Sequence, residues 1–301
     1  YNNGICDFYK ITTQEGFSIE VTAEHPLWTL GNGSAEWKSS GAIRAGDYVA
    51  IARGQTLFGS DGRIDFTPKP NVTNTARPIR VPERMTPELG LFMGLLSADG
   101  GLTIKHRVVY TQAREDVLRR YMQLLEELFG ITQLAVKKSG QSNTAKDVVV
   151  HSKNLKDFLA HLGMRSVGAR DKDIPRAIRE SGPDTIAAFI RGLVRNDGHI
   201  SANGREITLA SATLLRQMQI MLLNFGIVAA LHPKTLKAYE HNSYWRLSLY
   251  GEAFAVYAAE IGFMTNEERT RADKILARPR NTNRDTVPTL SALLRLMGSM
   301  Y

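Results

Sequence analysis

From residue 86 onward the apolar and polar positions fall into one order that occurs twice. Thr86-Pro87-Glu88 reads as a helix start, with threonine as cap and proline at the first helical position, and apolar residues run from Leu89 through Phe92, Met93, Leu95 and Leu96 to Asp99. Strands are expected over 102–104 and 107–111. A strongly amphipathic helix follows over 113–129, with Val117, Leu118, Tyr121, Leu124, Leu125 and Leu128 on one face. It stops at Gly130-Ile131. Strands over 134–137 and 148–151 and a short helix over 153–162, ending at Gly163, complete the first unit.

The second unit repeats this course. A helix over 184–197 leads to a hairpin at Asn203-Gly204 with strands over 199–201 and 206–209. A helix over 212–225 stops at Gly226-Ile227, strands over 229–233 and 244–249 follow, and a helix over 252–261 stops at Gly262-Phe263. The unit is αββαββα, twice. Asp99 and Asp197 lie 98 residues apart, Gly130 and Gly226 lie 96 apart, and Gly163 and Gly262 lie 99 apart. Offsets this uniform over a whole order of elements predict two pseudo-symmetric copies.

The first helix of each copy ends in an Asp-Gly pair: FMGLLSADG at 92–100 and IRGLVRNDG at 190–198. A carboxylate at the carbonyl end of a helix is unfavourable by roughly 0.3–1 kcal/mol at an exposed site. Two such helices imply a compensating positive charge, and a divalent cation is the natural candidate. Gly94 and Gly192 remove side chains from the helix faces, so that the two helices can pack backbone to backbone and bring Asp99 and Asp197 together.

The flanks carry weaker patterning. Residues 1–53 read as a small β-rich unit, with strands over 8–13 and 18–22 and a turn at Gly31-Asn32-Gly33. Residues 54–85, rich in Gly, Pro, Thr, Asn and Arg, read as a linker or as a DNA-contacting arm carrying Arg63, Lys69, Arg77, Arg80 and Arg84. Composition adds further constraints. The chain has 301 residues, 43% hydrophobic and 23% charged, an ordinary balance for a soluble protein of two or three domains. It has no apolar run long enough for a membrane span. Its single cysteine, Cys6, excludes internal disulfides and cysteine-rich zinc sites, which fits an intracellular setting, cytoplasm or nucleoid. A net charge of +8 favours a polyanionic partner, nucleic acid before membrane.

The duplicated motif helices and their strands resemble the single-chain LAGLIDADG homing endonucleases over roughly residues 85–276. The resemblance implies an α+β fold in which two four-stranded sheets form a β-saddle seated in the DNA major groove. It also implies a monomer acting on double-stranded DNA, with Mg²⁺ (or Mn²⁺) held by Asp99 and Asp197 and a double-strand cut leaving short 3′ overhangs. Gln112 matches a position that orients water or metal, its counterpart falling near Ser211. Lys172 and Lys274 match positions where a cation lowers the pKa of attacking water or screens phosphate. Ser97 and Arg195 stand where the first acid of each family motif would be. Expected base or phosphate readers on the sheets are Lys105, Arg107, Lys137, Lys138, Gln141, Arg205, Lys234, Lys237 and Arg246.

A second resemblance lies in Val21 to Trp28, Trp37-Lys38 and Arg44 to Val49, which look like the Thr-x-x-His block and following strands of the Hint fold of inteins, with Thr22 and His25 matching the residues that polarise the scissile amide. Splicing chemistry also needs a first-position Cys or Ser and a terminal His-Asn pair. The sequence begins at Tyr1 and ends at Tyr301, so it is not expected to splice alone; complementary intein fragments would be the partners. The expected layout is a partial Hint β domain at 1–53, linker or arm at 54–85, repeat one at 86–180, repeat two at 181–276 and a return segment at 277–301. The leading expectation is a site-specific DNA endonuclease embedded in an intein. The alternatives are a non-cleaving DNA-binding protein on the same scaffold, or a splicing component with a vestigial endonuclease.

Overall fold

Two long helices occupy the centre of the protein. In the computed structural model, which describes residues 7–31, 34–69, 79–140, 144–235 and 243–278, α1 spans Pro87–Asp99 and α5 spans Pro183–Asp197. The Thr86 hydroxyl accepts from the Leu89 N–H at 3.2 Å and caps α1. Gly182 caps α5, and its N–H donates to Asp61 Oδ1 at 3.0 Å. Both helices are buried over most of their circumference, as expected of elements packed on several sides.

Glycine sets how closely they approach. A Cβ added at Gly94 would stand 2.1 Å from the Phe189 carbonyl oxygen and 3.0 Å from the Leu193 nitrogen; one at Gly192 would stand 2.6 Å from the Leu91 carbonyl oxygen and 2.9 Å from the Leu95 nitrogen. Each glycine faces the other helix's backbone, which cannot step aside as a flexible side chain would. Gly90, just before the motif, does the same against the Thr185 carbonyl.

Each central helix leads into a four-stranded antiparallel sheet. The first has β6 (Gly100–Gly101), β7 (Arg107–Gln112), β8 (Ala135–Lys138) and β9 (Lys146–His151) in the order β6-β7-β9-β8. The second has β10 (Gly198–Ser201), β11 (Gly204–Leu209), β12 (Ala230–Lys234) and β13 (Tyr244–Tyr250) in the order β10-β11-β13-β12. Helices α2 (Glu115–Phe129) and α3 (Lys153–His161) belong to the first unit, α6 (Ala212–Asn224) and α7 (Gly251–Glu260) to the second. The two units therefore share element order and sheet topology. The first strand of unit one lies at Gly100–Gly101, not over 102–104. Leu102 instead turns into the core while Ile104 is exposed, and His106 adopts a positive φ of 56° in the turn that follows.

One core runs through both units. Val108, Tyr110, Val148 and Val150 face α1 and α2, where Tyr121 stacks on both Tyr110 and Phe92 at centroid distances of 4.1 and 5.1 Å. Ile207, Leu231, Leu247 and Leu249 meet Leu214, Leu215 and Met218 of α6 in the second. Two further helices were not legible in the pattern: α4 (Arg176–Arg179) and α8 (Asn266–Leu276).

The N-terminal region forms a hairpin, β1 (Tyr9–Thr12) with β2 (Ser18–Val21), and a three-stranded sheet of β3 (Pro26–Gly31), β4 (Ser34–Ser39) and β5 (Tyr48–Val49) in the order β4-β3-β5. Residues 54–69 are not a free linker. They strap the helices: Gly54 N–H donates to the Leu223 carbonyl, Phe58 packs on Phe225, and Gly59 and Ser60 N–H donate to Ser181 and Glu180. Phe66 then packs edge-on against Phe158, and Lys69 exchanges two 3.1 Å bonds with Asn154. Arg80 and Arg84 spend their guanidinium groups on the carbonyls of Glu126, Glu127 and Asp61. Arg77 and residues 279–301, which hold most of the expected return segment, lie outside the described residues.

Candidate functional site

The C-terminal end of α1 gathers three of the residues singled out in the sequence. Asp99 is the last residue of the helix and is partly buried. Gln112, buried at the end of β7, donates its Nε2–H to Asp99 Oδ2 at 3.3 Å. Its Oε1 accepts from the Ala113 and Arg114 N–H groups at 2.9 and 3.0 Å, which fixes the amide so that its donor side faces the carboxylate. Lys172 lies in the loop after the 3-10 turn Ala169–Asp171. Its ammonium donates to the carbonyls of Ser97, Ala98 and Gly100 at 2.8, 3.1 and 2.9 Å, so a cation sits on the negative end of the helix dipole.

Burial dominates the electrostatics of Asp99. Desolvation raises its pKa to about 6, against a smaller lowering by the Lys172 charge. A desolvated carboxylate at a helix end, with one N–H donor on it, is an electrostatic deficit that a cation relieves. All-oxygen donor sets of this kind suit Mg²⁺ or Mn²⁺, whose shells are completed by water and substrate phosphate. Among the described residues no three His, Cys, Asp or Glu side chains converge; Asp99 is the carboxylate described at this helix end, and its oxygen chemistry fits such an ion. Helix α5 ends at Asp197, but the side chains of Asn196 and Asp197 lie outside what the structure describes.

The second unit is built differently. The register pairs Gly100 with Tyr110 and Gly198 with Ile207, so the counterpart of Gln112 is Leu209 rather than Ser211. Ser211 caps α6 through the Leu214 N–H and donates its own hydroxyl to the Lys172 carbonyl at 2.6 Å. Lys274 is not the symmetric mate of Lys172: it is exposed in the last turn of α8. In place of a lysine cap, Arg205 donates to the Val194 carbonyl at 3.2 Å and to Glu268 Oε1 at 2.8 Å, and Arg195 lies 3.7 Å from Glu268 and 3.2 Å from Asp116 of the first unit.

Arg205 is thus corrected from a DNA reader to a core residue. It is 1% exposed, with its guanidinium 5.5 Å from the Tyr257 and Phe263 rings. The cause is parity. Arg205 shares the helix-side face of β11 with Ile207 and Leu209, and one residue of slip in a strand exchanges its faces; the alternation of apolar residues at 207 and 209 was the signal available in the sequence. Lys138 is exposed, on the same face of its strand as Val136 and beside Lys146, which bonds Glu115. Arg107 and Lys137 lie on the face of the first sheet that points away from the helices, and Lys234 and Arg246 on that of the second. Arg246 is paired there with Glu206 at 3.2 Å. Lys105 is exposed in the turn before β7. Gln141 and Lys237 lie outside the described residues.

Thr22 and His25 bracket the turn between β2 and β3, the His25 N–H donating to the Thr22 carbonyl at 3.2 Å, with Thr22 half-buried and His25 exposed. The His25 carbonyl in turn accepts from the Ser40 hydroxyl at 2.6 Å. Among the described residues no helix is long and apolar enough to cross a membrane.

Two paired helices with Asp-Gly ends, each feeding a sheet of the same topology, define a duplicated LAGLIDADG scaffold. The chain belongs to the LAGLIDADG-like domain family, whose model matches residues 86–163 and 184–262. It is 29% identical over 260 residues to an A-type ATP synthase protein of Pyrococcus abyssi, covering 84% of this chain and 24% of that protein. It is 26% identical over 288 residues to the replication factor C small subunit of Methanocaldococcus jannaschii, covering 95% of this chain and 14% of that protein. With the replicative DNA helicase DnaB of Rhodothermus marinus it shares 27% over 318 residues, covering 99% and 31%. The chain therefore spans less than a third of these relatives' length. Among solved structures, the homing endonuclease I-DmoI in complex with DNA and Mn is similar at 20% identity and TM-score 0.44, over 59% of this chain and 98% of that one. Full-length DUF199/WhiA from Thermatoga maritima is similar at 16% identity and TM-score 0.42, over 71% and 66%.

Proposed function

We propose that this chain is a site-specific double-strand DNA endonuclease that uses a divalent cation and is carried within an intein. The observation that carries the endonuclease reading is the glycine-mediated contact of α1 with α5, which brings two Asp-ended helices side by side beside the polar group Asp99–Gln112–Lys172. A divalent cation bound at Asp99 and Asp197 would supply Lewis acidity and an activated water. Asp99 supplies negative charge to hold the ion. Gln112, its amide locked by two backbone N–H groups, orients a group beside that carboxylate. Lys172 neutralises the helix end and favours the ionised form of Asp99. The faces of the two sheets turned from the helices, carrying Arg107, Lys137, Lys234 and Arg246, would form a saddle along the duplex, with one copy of the chain spanning the site.

The intein reading is supported by the comparisons in a specific way. Nearly all of this chain matches a minor part of proteins named for an ATP synthase, a replication factor and a helicase, as an inserted segment shared among different hosts would. Thr22 and His25 would serve its splicing half, whose other pieces would come from residues 277–301 and from complementary fragments; such a protein would work in cytoplasm or nucleoid. Splicing of a reporter on supply of those fragments, lost in His25→Ala, is the expected result.

For cleavage, a supercoiled plasmid carrying the uninterrupted host junction is expected to be cut in Mg²⁺ and to stay intact with Asp99→Asn. A gel shift with no cutting would favour a second reading, a DNA-binding protein that does not cleave. Leu209 at the counterpart of Gln112 further supports unequal strand cleavage, so nicked circles are expected to accumulate before linear DNA.

A further inference from the structure

Pseudo-symmetry makes one cleft stand out. It lies where α1, α2, α5 and the start of α8 meet, holds about 880 Å³ of space open to solvent, and is lined by Leu91, Phe263 and Met264 together with Arg120, Arg191, Arg269 and the Asp116 carboxylate. The same junction on the other side of the central helix pair is closed by apolar packing. Buried positions match between α2 and α6 at an offset of 97 and the motif helices at 98, so the counterpart of Arg191 is Met93 and that of Leu91 is Phe189, both fully buried. The counterpart of Arg120 is Gln217, whose Oε1 accepts from the Ile174 N–H at 2.7 Å and seals the junction. A scaffold that closes this junction on one side with Met, Phe and a satisfied Gln opens it on the other with guanidinium groups.

Among the described residues, carboxylates neutralise one of these three guanidinium groups, that of Arg120, which pairs with Glu127 at 3.0 Å. Asp116 is engaged by Arg195 and Arg114, Glu267 by Arg114 and Arg271, and Glu127 by Arg120. Arg191 donates to the Ile261 carbonyl at 2.7 Å, and neither it nor Arg269 forms an ion pair among the described residues. Phe263 is held in place by Phe254 and Tyr257 at centroid distances of 6.2 and 5.9 Å and by the Arg205 guanidinium, so the apolar floor is preformed. Arg191 and Arg269, from two helices beside a preformed apolar floor, match a phosphate group attached to an organic body, since guanidinium binds phosphate in bidentate fashion.

We propose that this cleft is a phosphate-binding site, separate from the Asp99 centre and independent of whether that centre cuts DNA. The phosphate would come from a free nucleotide or from a DNA backbone, and the chemistry at the arginines is shared. The test is calorimetric titration of the full chain, in EDTA, with pyrophosphate and with ATP. A saturable Kd of about 1 mM or tighter is expected, weakened about tenfold or more by Arg269→Ala and by Arg191→Met. Arg191→Met installs the residue of the closed side, and Arg269→Ala lies on the exposed face of α8, so the fold of each is checked by its melting temperature. Displacement by excess non-target duplex would assign the phosphate to DNA, and persistence of binding beside the duplex would assign it to a free nucleotide. Absence of saturable binding of both probes, or variants that bind like the parent, would overturn the site.

Discussion

Asp99 is held in tension between its neighbours. Burial drives its carboxyl toward the neutral form, while Lys172 favours the anion. Because its folded pKa of about 6 lies above the unfolded 3.8, the folded state binds the proton more tightly. The ionised group therefore lowers stability in full above pH 6, and the penalty disappears as pH falls through the window from 6 to 3.8. Asp99→Asn is expected to abolish cleavage and yet to stabilise the protein by on the order of 1–2 kcal/mol at about pH 7.5, a gain that fades by about pH 4. Thermal melts of the two proteins across that range check it, and a constant difference would exclude the titration of Asp99 as its cause. Arg205 gives the opposite contrast. Removing it leaves Glu268 buried without its closest partner, so Arg205→Ala should lose about 3–5 kcal/mol of stability, whereas Arg107→Ala should leave the melt unchanged and weaken DNA binding with a shallower salt dependence.

At the scale of elements, the α1–α5 pair is the contact on which the site depends. Gly94→Ala places a methyl carbon against the Phe189 carbonyl, and both helices must separate to admit it. The expected loss is about 1–3 kcal/mol, with cleavage reduced more than stability alone would explain, because the helix ends move apart; denaturant melts and plasmid assays on the same preparation separate the two effects. Strand parity is the other lesson at this scale. Arg205 sits one residue from an outward position, and the buried Ile207 two residues away records the side of the sheet it takes.

Across the whole molecule, residues 54–69 tie together the two units. Their backbone bonds reach Leu223, Ser181 and Glu180, and their aromatic rings reach α6 and α3. The amides of Gly59 and Ser60 are accordingly expected to be protected in hydrogen exchange, and exchange at the rate of an open loop would contradict the strap. The hairpin turn also docks on the second unit, where the Leu231 N–H and the Gln219 Nε2–H both donate to the Glu15 carbonyl at 2.8 Å.

The sequence by itself determined the duplication, the αββαββα order and the two Asp-ended helices, because helix and strand periods and glycine stops are local properties of the chain. It also singled out Asp99, Gln112 and Lys172. Tertiary structure alone decided that Lys172 caps α1 while Lys274 has no matching place, that Leu209 answers Gln112, that Arg205 is internal, and that residues 54–69 are a strap. Each of these depends on register or on contacts between distant segments. A buried guanidinium and an exposed one are the same letter in the sequence, and only the packing of Glu268, Tyr257 and Phe263 around Arg205 tells them apart.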